Sequence, residues 1–503
     1  MFVKIDTVGL YGMEGRPVAV EADVSTGLPA FEIVGLPDAA VKEAKERVRA
    51  AIKNCGYEFP SRRFTVNLAP ASLKKAGPAF DLPIAAAILY ATEQAKGKGE
   101  GCALIGELSL AGDLRPVQGV LPLVAGAAAH GFQSVIVPAE NAKEGALAEG
   151  ITVYGAKNLH EAMEHLSGAA RLTPAKTDMD ALLQNGLSNA PDFADVKGQE
   201  NVKRALEIAA AGGHNLLIVG PPGAGKTMLA QRMPSILPPM TAAEALEVTK
   251  LHSVAGQLPE NEPLVTKRPF RTPHHSASAV GLIGGGQTVR PGEISLAHGG
   301  VLFLDELPEF RRDVTEALRQ PMEDGVVTVT RAAASYTYPS AFMLVAAMNP
   351  CRCGYYGDPT HRCRCSAHSV QQYMNKISGP LLDRIDLQVK ASAVTYGDIG
   401  KREAESSATI RARVIRARER QKARVGKEKF FENARLNAKE IETYCEMTPD
   451  AAEMMSASFA AMQLSMRAYT RTIKVARTIA DLDGAEKIES MHIAEAVRYH
   501  IDR

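Results

Sequence analysis

The sequence predicts an α/β protein that ends in a helical domain, and three observations lead to this fold class. Strand-like runs alternate with helical stretches in the first third of the chain. After a turn-rich interval, short apolar strands separated by helices indicate a parallel sheet in a second α/β domain. The C-terminal part shows helical periodicity throughout.

Shifts in composition give the expected domain boundaries. The first α/β domain covers residues 1–167, and the polar, turn-rich residues 168–191 are expected to form a linker. The second α/β domain covers 192–395, and the helical domain covers 396–503. A chain of 503 residues is long enough to bury the cores of several such domains.

The overall composition is that of a soluble globular protein, with 46% hydrophobic and 23% charged residues. The net charge of +1 predicts neither a nucleic-acid nor a membrane partner, so any such surface must be local. The start, MFVKIDTVGLYGMEG, lacks the apolar core of a signal peptide, and no apolar run reaches membrane-spanning length. Seven cysteines, an odd number, favour a reducing compartment. We therefore expect a cytoplasmic protein without a membrane partner.

The strongest functional signal is the segment LLIVGPPGAGKTMLA. An apolar strand, Leu216–Val219, leads into the phosphate-binding pattern G-x-x-x-x-G-K-T and then into a helical pattern. Glycines let backbone N–H groups turn toward phosphate oxygens, and the following helix presents its positive N-terminus to the same anion. Lys226 is expected to reach the β- and γ-phosphates, and the Thr227 hydroxyl to bind Mg²⁺. The expected nucleotide-binding residues are Gly220, Pro221, Pro222, Gly223, Ala224, Gly225, Lys226 and Thr227.

Two further strands supply the rest of the expected site. The apolar run Val301–Leu304 ends at Asp305, a candidate Mg²⁺ ligand, and Glu306, a candidate base for the attacking water. A later strand ends at Asn349, whose amide could contact the γ-phosphate or that water. Carboxylates at a strand end are more often only solvated, but their place after a P-loop in the same domain favours function. These residues suit hydrolysis of a nucleoside triphosphate.

The order of motifs resembles the AAA+ ATPases of the magnesium-chelatase-like branch, and the whole chain resembles the ComM/YifB group of that branch. The segments that carry the resemblance are DVKGQ, GPPGAGKT, LFLDE, AAMNP and SGPLLDRIDL. The resemblance implies a P-loop AAA+ α/β domain, an α-helical lid and a homohexameric ring. It also implies that Asn349 is the sensor-1 residue and that Arg384 is an arginine finger for the neighbouring subunit.

The resemblance leaves some choices open among the arginines. Arg467 is the favoured sensor-2 residue of the lid, and Arg471 is a close competitor. For Arg384, the alternative is an ion pair with Asp383 or Asp386. The expected catalytic residues are Glu306, Asn349, Arg384 and Arg467.

The N-terminal domain resembles the protease domain of Lon. The matching position for the nucleophilic serine is Ala79, and the matching position for the catalytic lysine is Leu121. Without a hydroxyl and an amine at these positions, no acyl-enzyme can form. Ser72 with Lys74 or Lys75 stays open as a displaced dyad. We expect a Lon-protease-like α/β domain that lost the catalytic dyad and serves as a scaffold or as a DNA- or partner-contacting module.

Four cysteines directly follow Asn349 in the pattern C-x-C-x₉-C-x-C. Four thiolates suit a structural Zn²⁺ with no open position for chemistry, and free thiols or a redox pair are the alternatives. A glycine-containing loop of this length buries little surface, so a metal would supply its order. This insertion, 351–365, is expected to present Arg352, Arg362 and Arg364 to DNA or to a neighbouring subunit. Its candidate zinc ligands are Cys351, Cys353, Cys363 and Cys365.

DNA contacts are expected first from a hairpin in EDGVVTVTRAAASYTYPS. Arg331 at the turn would track the backbone, and Tyr336 and Tyr338 would stack on bases, although an ordinary surface hairpin is an equal alternative.

Two basic stretches are weaker candidates for contacts with DNA. One supplies Lys267, Arg268 and Arg271 as phosphate ligands, while the adjacent His274 and His275 are expected to be hydrogen-bonded loop residues. The other, 409–429, has nine Lys/Arg against two Glu, but charged runs are usually solvated faces.

The preferred function is an ATP-driven hexameric DNA motor. The resemblance implies helicase-type branch migration of recombination intermediates, as in natural transformation, with ATP and Mg²⁺ as cofactors and single-stranded or branched DNA as partner. One alternative is a magnesium-chelatase-type motor that remodels a protein or metal-insertion complex, against which the fused N-terminal domain and the cysteine insertion count. Another is an ATP-dependent Lon-like protease, against which Ala79 and Leu121 count.

Overall fold

The computed structural model describes residues 1–96, 99, 101–185, 191–259, 261–286, 289–331, 334–358, 361–392, 405–426 and 432–500, with the side chains of 185, 331 and 334 left out. The expected boundary at 395–396 and part of the expected linker, 186–190, lie outside these residues. The side chain of Arg331 lies outside them as well.

The N-terminal part contains a mixed sheet and a small parallel sheet. The strands are β1 (Phe2–Tyr11), β2 (Glu14–Ser25), β3 (Ala30–Val34), β4 (Arg63–Ala69), β5 (Cys102–Leu104), β6 (Glu107–Leu108), β7 (Leu114–Arg115), β8 (Ser134–Pro138) and β9 (Thr152–Ala156). The helices are α1 (Ala39–Asn54), α2 (Asp81–Ala91), α3 (Val120–Ala129), α4 (Ala142–Gly145), α5 (Leu159–Ser167) and α6 (Met179–Asn185). The mixed sheet has the order β1-β2-β4-β3, and the parallel sheet has the order β5-β8-β9.

Local sequence signals set helix α1. It begins where the Asp38 carboxylate accepts a hydrogen bond from the backbone N–H of Val41, at 2.9 Å. Val41, Ala44, Val48 and Ile52 are buried three or four residues apart, so one face of α1 packs into the core of the mixed sheet. The alternation of strand-like runs and helical stretches predicted for the first third of the chain is confirmed, for example at β2, β4, β8 and α1.

The middle of the chain forms a five-stranded sheet with its helices and two small hairpins. The strands are β10 (Leu216–Val219), β11 (Phe270–Arg271), β12 (Gly284–Gly285), β13 (Arg290–Pro291), β14 (Val301–Leu304), β15 (Val326–Arg331), β16 (Ala334–Pro339), β17 (Met343–Met348) and β18 (Leu387–Lys390). The helices are α7 (Glu200–Gly212), α8 (Lys226–Gln231), α9 (Met233–Ile236), α10 (Ala242–Ala255), α11 (Ala279–Ile283), α12 (Glu293–Leu296), α13 (Arg312–Glu316), α14 (Arg319–Asp324), α15 (Ala367–Met374) and α16 (Gly379–Leu382).

The five-stranded sheet is parallel throughout, with the order β11-β14-β17-β10-β18. Strands β10, β14 and β17 are buried along their whole length, as expected for apolar strands covered on both faces. Because the strands run parallel, their carboxyl ends lie at one edge, where ligands of such sheets bind. The P-loop, Asp305 and Asn349 therefore meet at this edge.

The C-terminal part is helical, as predicted, and covers one face of the parallel sheet. Its helices are α17 (Ser407–Val425), α18 (Ala438–Tyr444), α19 (Pro449–Ala461), α20 (Met466–Asp483) and α21 (Ser490–Val497). Val414 of α17 and Ala476 of α20 are fully buried in the same core cluster as Leu206 of α7 and Ile218 of β10. Among the described residues, no helix is long and apolar enough to cross a bilayer.

The N-terminal part meets the middle part along α3 and α10, in what we call the α3–α10 joint. The Gly119 N–H donates to the Ser253 carbonyl at 3.1 Å, and the Ser253 hydroxyl donates to the buried Glu144 carboxylate. Helix α6, within the expected linker, adds partly buried side chains to the joint. The buried apolar residues of the joint are Leu121, Leu147, Met240, Ala245, Val248 and Leu264.

Candidate active site

The P-loop connects β10 to α8 at the edge of the parallel sheet. Gly223 and Gly225 have φ values of +76° and +78°, which lie in the left-handed region that glycine adopts without a Cβ penalty. Helix α8 begins at Lys226, so its first N–H groups face the space above the loop. This geometry fits a phosphate group at the helix N-terminus.

The Lys226 ammonium is buried against the loop that precedes it. It donates to the carbonyl oxygens of Gly220 and Pro221 at 2.8 and 2.9 Å, and to Oδ1 of Asn349 at 3.1 Å. Burial lowers the pKa of Lys226, and the nearby carboxylates of Asp305 and Glu306 oppose that shift. The ammonium therefore lies between the P-loop and the end of β17, where a γ-phosphate would gain a cation and an amide together.

The expected magnesium ligands are in direct contact. The Thr227 hydroxyl donates to Oδ2 of Asp305 at 2.6 Å, and Oδ1 of Asp305 accepts from the backbone N–H of Glu306 at 2.9 Å. A hydroxyl and a carboxylate on these two elements are oxygen ligands of the kind that Mg²⁺ prefers. Thr227 and Asp305 would hold the ion, whose charge would offset that of the phosphate groups.

Glu306 has an unusual backbone. Its φ of +53° places a non-glycine residue in the left-handed region, which costs about 1–2 kcal/mol. The side chain is exposed, and Nδ1 of His275 lies 3.8 Å from its Oε2. His274 is hydrogen-bonded to Ser276 at 2.8 Å, as expected of a loop histidine, whereas His275 faces the candidate base. Sequence reasoning noticed the two histidines but did not connect either with Glu306.

Helix α15 supplies Tyr373 near Asn349. Burial raises the pKa of Tyr373 to about 12, and the backbone of Asn349 opposes that shift. The cysteine insertion 351–365 begins two residues after Asn349. Sequence reasoning missed Tyr373, because an aromatic residue on a short helix carries no distinctive pattern.

Arg384 pairs with Glu323 of α14 and donates to the Pro380 carbonyl at 2.7 Å. The alternative partner Asp386 instead accepts from the Asn215 N–H at 3.1 Å. The guanidinium Nε is buried and has no partner among the described residues. Arg384 does form an ion pair, as the alternative interpretation predicted, but its partner is the distant Glu323 and not a neighbouring aspartate.

The two lid arginines differ in what they contact. Arg471 is buried and donates to the Ile385 carbonyl at 2.9 Å and to Nδ1 of His500 at 2.8 Å. Arg467 lies exposed in the first turn of α20, and among the described residues no hydrogen bond engages its side chain. Arg471 therefore anchors the lid to the sheet domain, while Arg467 is available to a ligand.

The four cysteines of the insertion converge on one point. Their sulfur atoms all lie within 4.8 Å of one another. The sulfurs of Cys351 and Cys353 are 3.3 Å apart, that of Cys363 lies 3.5 Å from that of Cys353, and it lies 3.8 Å from that of Cys351. Zinc–sulfur bonds of about 2.3 Å in a tetrahedron separate sulfurs by about 3.8 Å, so the donor set fits Zn²⁺. Backbone hydrogen bonds at Arg364 and Tyr355 lower the pKa of Cys353, whereas the pKa of Cys363 and of Cys365 is raised.

The predicted hairpin forms from β15 and β16, but its tyrosines do not face solvent as expected. Tyr338 is fully buried and donates to the Val289 carbonyl at 3.2 Å, so the expectation that it stacks on bases is wrong. The ring of Tyr336 lies 4.9 Å from that of Tyr11 in the N-terminal part. Tyr338 therefore packs into the core of the middle part, and Tyr336 packs against the N-terminal part.

Several of the basic residues proposed for DNA are engaged within the chain. Arg268 pairs with Glu244 at 3.1 Å and Arg271 pairs with Glu293 at 2.7 Å, so neither is a free phosphate ligand. Lys267 is exposed. Within the described residues 409–426, ion pairs join Arg413 to Glu207 and Glu405, Arg418 to Glu432, and Arg424 to Asp481.

These contacts make α17 mainly a structural helix that holds the lid. Lys427 and Lys429 lie outside the described residues. By contrast, Arg352, Arg362 and Arg364 on the cysteine loop are exposed.

The displaced dyad left open in the N-terminal part is not assembled. Lys75 is buried, its ammonium donates to the Pro70 carbonyl, and burial lowers its pKa, while Ser72 is exposed. No hydrogen bond joins Ser72 to a lysine in the part of the chain that the structure describes. Leu121 is buried in the α3–α10 joint, and its backbone N–H donates to Glu144 at 2.8 Å.

Comparison with protein families covers three stretches of the chain. The model "Magnesium chelatase, subunit ChlI" matches residues 192–399, and "Magnesium chelatase, subunit ChlI C-terminal" matches 404–500. The model "Subunit ChlI of Mg-chelatase" matches 20–141 in the N-terminal part. This type of ATPase uses ATP and Mg²⁺, which agrees with the contacts around Thr227.

Several relatives match over nearly their whole length. The YifB protein of Salmonella typhimurium is 45% identical over 99% of this chain and 97% of its own length. Competence protein ComM of Haemophilus influenzae is 44% identical over 97% of this chain and 95% of its own. By contrast, the magnesium-chelatase 67 kDa subunit of Chlorobaculum parvum matches over a part only: it is 29% identical over 31% of this chain and 23% of its own length. The chain therefore belongs to the ComM/YifB family of AAA+ proteins with magnesium-chelatase-type domains.

Proposed function

We propose that this protein hydrolyses ATP and uses the cycle to move on DNA. The observation that carries the proposal is the 2.6 Å hydrogen bond between Thr227 and Asp305, beside the buried ammonium of Lys226. Residues 220–227 bind the nucleotide, and Thr227 and Asp305 hold Mg²⁺. Glu306 polarises the attacking water, and Asn349 contacts the γ-phosphate or that water.

The active unit is a homohexameric ring in which Arg384 acts on the ATP of a neighbouring subunit. The Glu323 pair holds this side chain in one orientation, and ring assembly places it near the neighbour's γ-phosphate. Arg467 of the lid completes the site, because Arg471 is engaged with the Ile385 carbonyl. The domains are 1–167, a linker at 168–191, the ATPase domain at 192–395 and the lid at 396–503.

The substrate is single-stranded or branched DNA, and the work is helicase-type branch migration of recombination intermediates. The name of the Haemophilus influenzae relative, a competence protein, supports a place in natural transformation. The exposed arginines of the cysteine loop, with Lys267, supply the cations for phosphate groups. Such a motor acts in the cytoplasm, where ATP and chromosomal DNA are present.

The cysteine insertion 351–365 binds one structural Zn²⁺ through Cys351, Cys353, Cys363 and Cys365. Four converging sulfurs support this assignment. With all four positions taken by protein, the ion orders the loop and takes no part in hydrolysis.

Steady-state ATP turnover with and without DNA tests the proposal. A motor on DNA should hydrolyse ATP faster when single-stranded or junction DNA is added, and glutaraldehyde cross-linking with ATP should give hexamers. Turnover that ignores DNA but responds to protoporphyrin would favour the second candidate, a metal-insertion motor. The chelatase-type family models support that candidate.

A further inference from the structure

The cysteine loop adjoins the nucleotide site at its start and in its middle. Cys351 lies two residues after Asn349. Further along the loop, the backbone of Gly354 lies against Pro222 of the P-loop. The loop is therefore a lateral support for the P-loop.

The contact between Gly354 and Pro222 leaves no room for a side chain. A Cβ on Gly354 would lie 2.6 Å from Cδ and 3.2 Å from Cγ of Pro222, and the first distance is shorter than real Cβ contacts allow. Gly354 also has a φ of +87°. Gly357, in the same loop, has a φ of +77°, but a Cβ there would meet no atom within 4 Å.

Parts of this loop face solvent, and other parts pack within it. The exposed side chains are those of Arg352, Tyr356, Arg362 and Arg364. The ring of Tyr355 stacks on that of His361 at 4.7 Å, and the Asp358 carboxylate accepts from the His361 N–H at 3.0 Å. Cys351 is fully buried, and the sulfurs of the other three cysteines gather around it. An ion on these four sulfurs would join the start of the loop to its end.

We propose that Zn²⁺ on the four cysteines acts as a positioning element of the ATP site by holding Gly354 against Pro222, so that nucleotide affinity depends on zinc. The inference rests on the proposed ATP site and extends it to a metal that never touches the nucleotide. Pro222 lies between the loop residues whose backbone faces the phosphates, and a shift there would misalign the N–H groups that bind them.

A matched pair of variants of the full-length protein tests the contact. In Gly354→Ala, overpacking against Pro222 should weaken binding of the non-hydrolysable analogue AMP-PNP with Mg²⁺ about tenfold, with zinc content by mass spectrometry unchanged. Gly357→Ala carries the same left-handed strain without the contact, so its affinity should stay within about twofold of wild type.

Metal removal gives a second, independent measurement. Treatment with the zinc-selective chelator TPEN at constant Mg²⁺ should weaken AMP-PNP binding, and addition of ZnSO₄ alone should restore it. If wild type binds AMP-PNP but Gly354→Ala and the zinc-free protein bind it equally well, the inference is wrong and the ATP proposal stands. If wild type itself does not bind AMP-PNP, both fail.

Discussion

The nucleotide site has polar side chains at the positions that a reaction needs, whereas the region around Ala79 and Leu121 has apolar side chains there. At the sheet edge, Lys226 and Asp305 are each in hydrogen-bond contact with a partner at the site. In the N-terminal part, the two positions that the resemblance to Lon aligns with its dyad are apolar, and Leu121 packs against the middle part.

Leu121 shows how an apolar residue can connect two parts of the chain. Burying a lysine at position 121 would require a partner for its charge, whereas leucine contributes apolar surface to the α3–α10 joint. Glu144, beside it, is still polar, but it accepts from Leu121 and Ser253 and so ties the two parts together. The polar atoms of the nucleotide site are available to a ligand, whereas those of the α3–α10 joint are hydrogen-bonded within the fold.

The largest effect on ATP turnover is expected from Arg384, which would act only when the chains assemble into a ring. Arg384→Ala should lower ATP turnover by about 10³- to 10⁵-fold, because an arginine finger offsets transition-state charge, while AMP-PNP binding persists. Glu323→Gln, which removes only the intramolecular partner, is the matched control and should retain turnover. Normal turnover by Arg384→Ala in assembled hexamers would remove this residue from the site.

Glu306→Gln tests the polar site within one subunit. Loss of the base should lower turnover by about 10²- to 10⁴-fold, while binding of ATP and DNA is retained. Stopped-flow phosphate release gives the rate, and fluorescence anisotropy with labelled DNA gives the affinity. Hydrolysis that survives the substitution would assign the attacking water to another residue.

Leu121→Lys tests whether position 121 is buried in the joint. A longer, charged side chain among these apolar residues should lower the free energy of unfolding by about 1–3 kcal/mol, as measured by urea denaturation. Leu110→Lys, at a position with 58% of its surface exposed in the same part, should have little effect. Equal stability of the two variants would mean that position 121 is not buried in solution.

Ser253→Ala should give the smallest effect and a defined pH dependence. Burial raises the pKa of Glu144, and the hydrogen bond from Ser253 opposes that shift. Removing the donor raises the pKa of the folded state further, so the loss of stability should be small at pH 5 and should grow to about 1–2 kcal/mol at pH 7.5. Thermal unfolding at both pH values measures it.

Ser295→Ala is the control for that comparison, because the Ser295 hydroxyl is buried and has no partner among the described residues. It should change stability little at either pH. If the stability lost in Ser253→Ala does not vary with pH, the ionisation of Glu144 does not contribute to that loss.

The sequence predicted the parallel sheet and the residues at its edge, because these signals are local: an apolar strand followed by a fixed pattern of polar residues. It could not predict that Arg384 pairs with Glu323 or that Leu121 joins a cluster with Met240, since these contacts depend on how distant elements pack. Tyr338 shows the same limit. Alternation in a hairpin predicts two faces, but which face is buried is decided by its neighbours.

ATP-dependent processing of a mobile synthetic Holliday junction tests whether ATP hydrolysis at this site moves DNA. Wild-type protein should dissolve the junction into its products with ATP and Mg²⁺, while Glu306→Gln should bind the junction and leave it intact. If wild type hydrolyses ATP but leaves the junction intact, and DNA does not change its turnover, the DNA-motor account is contradicted.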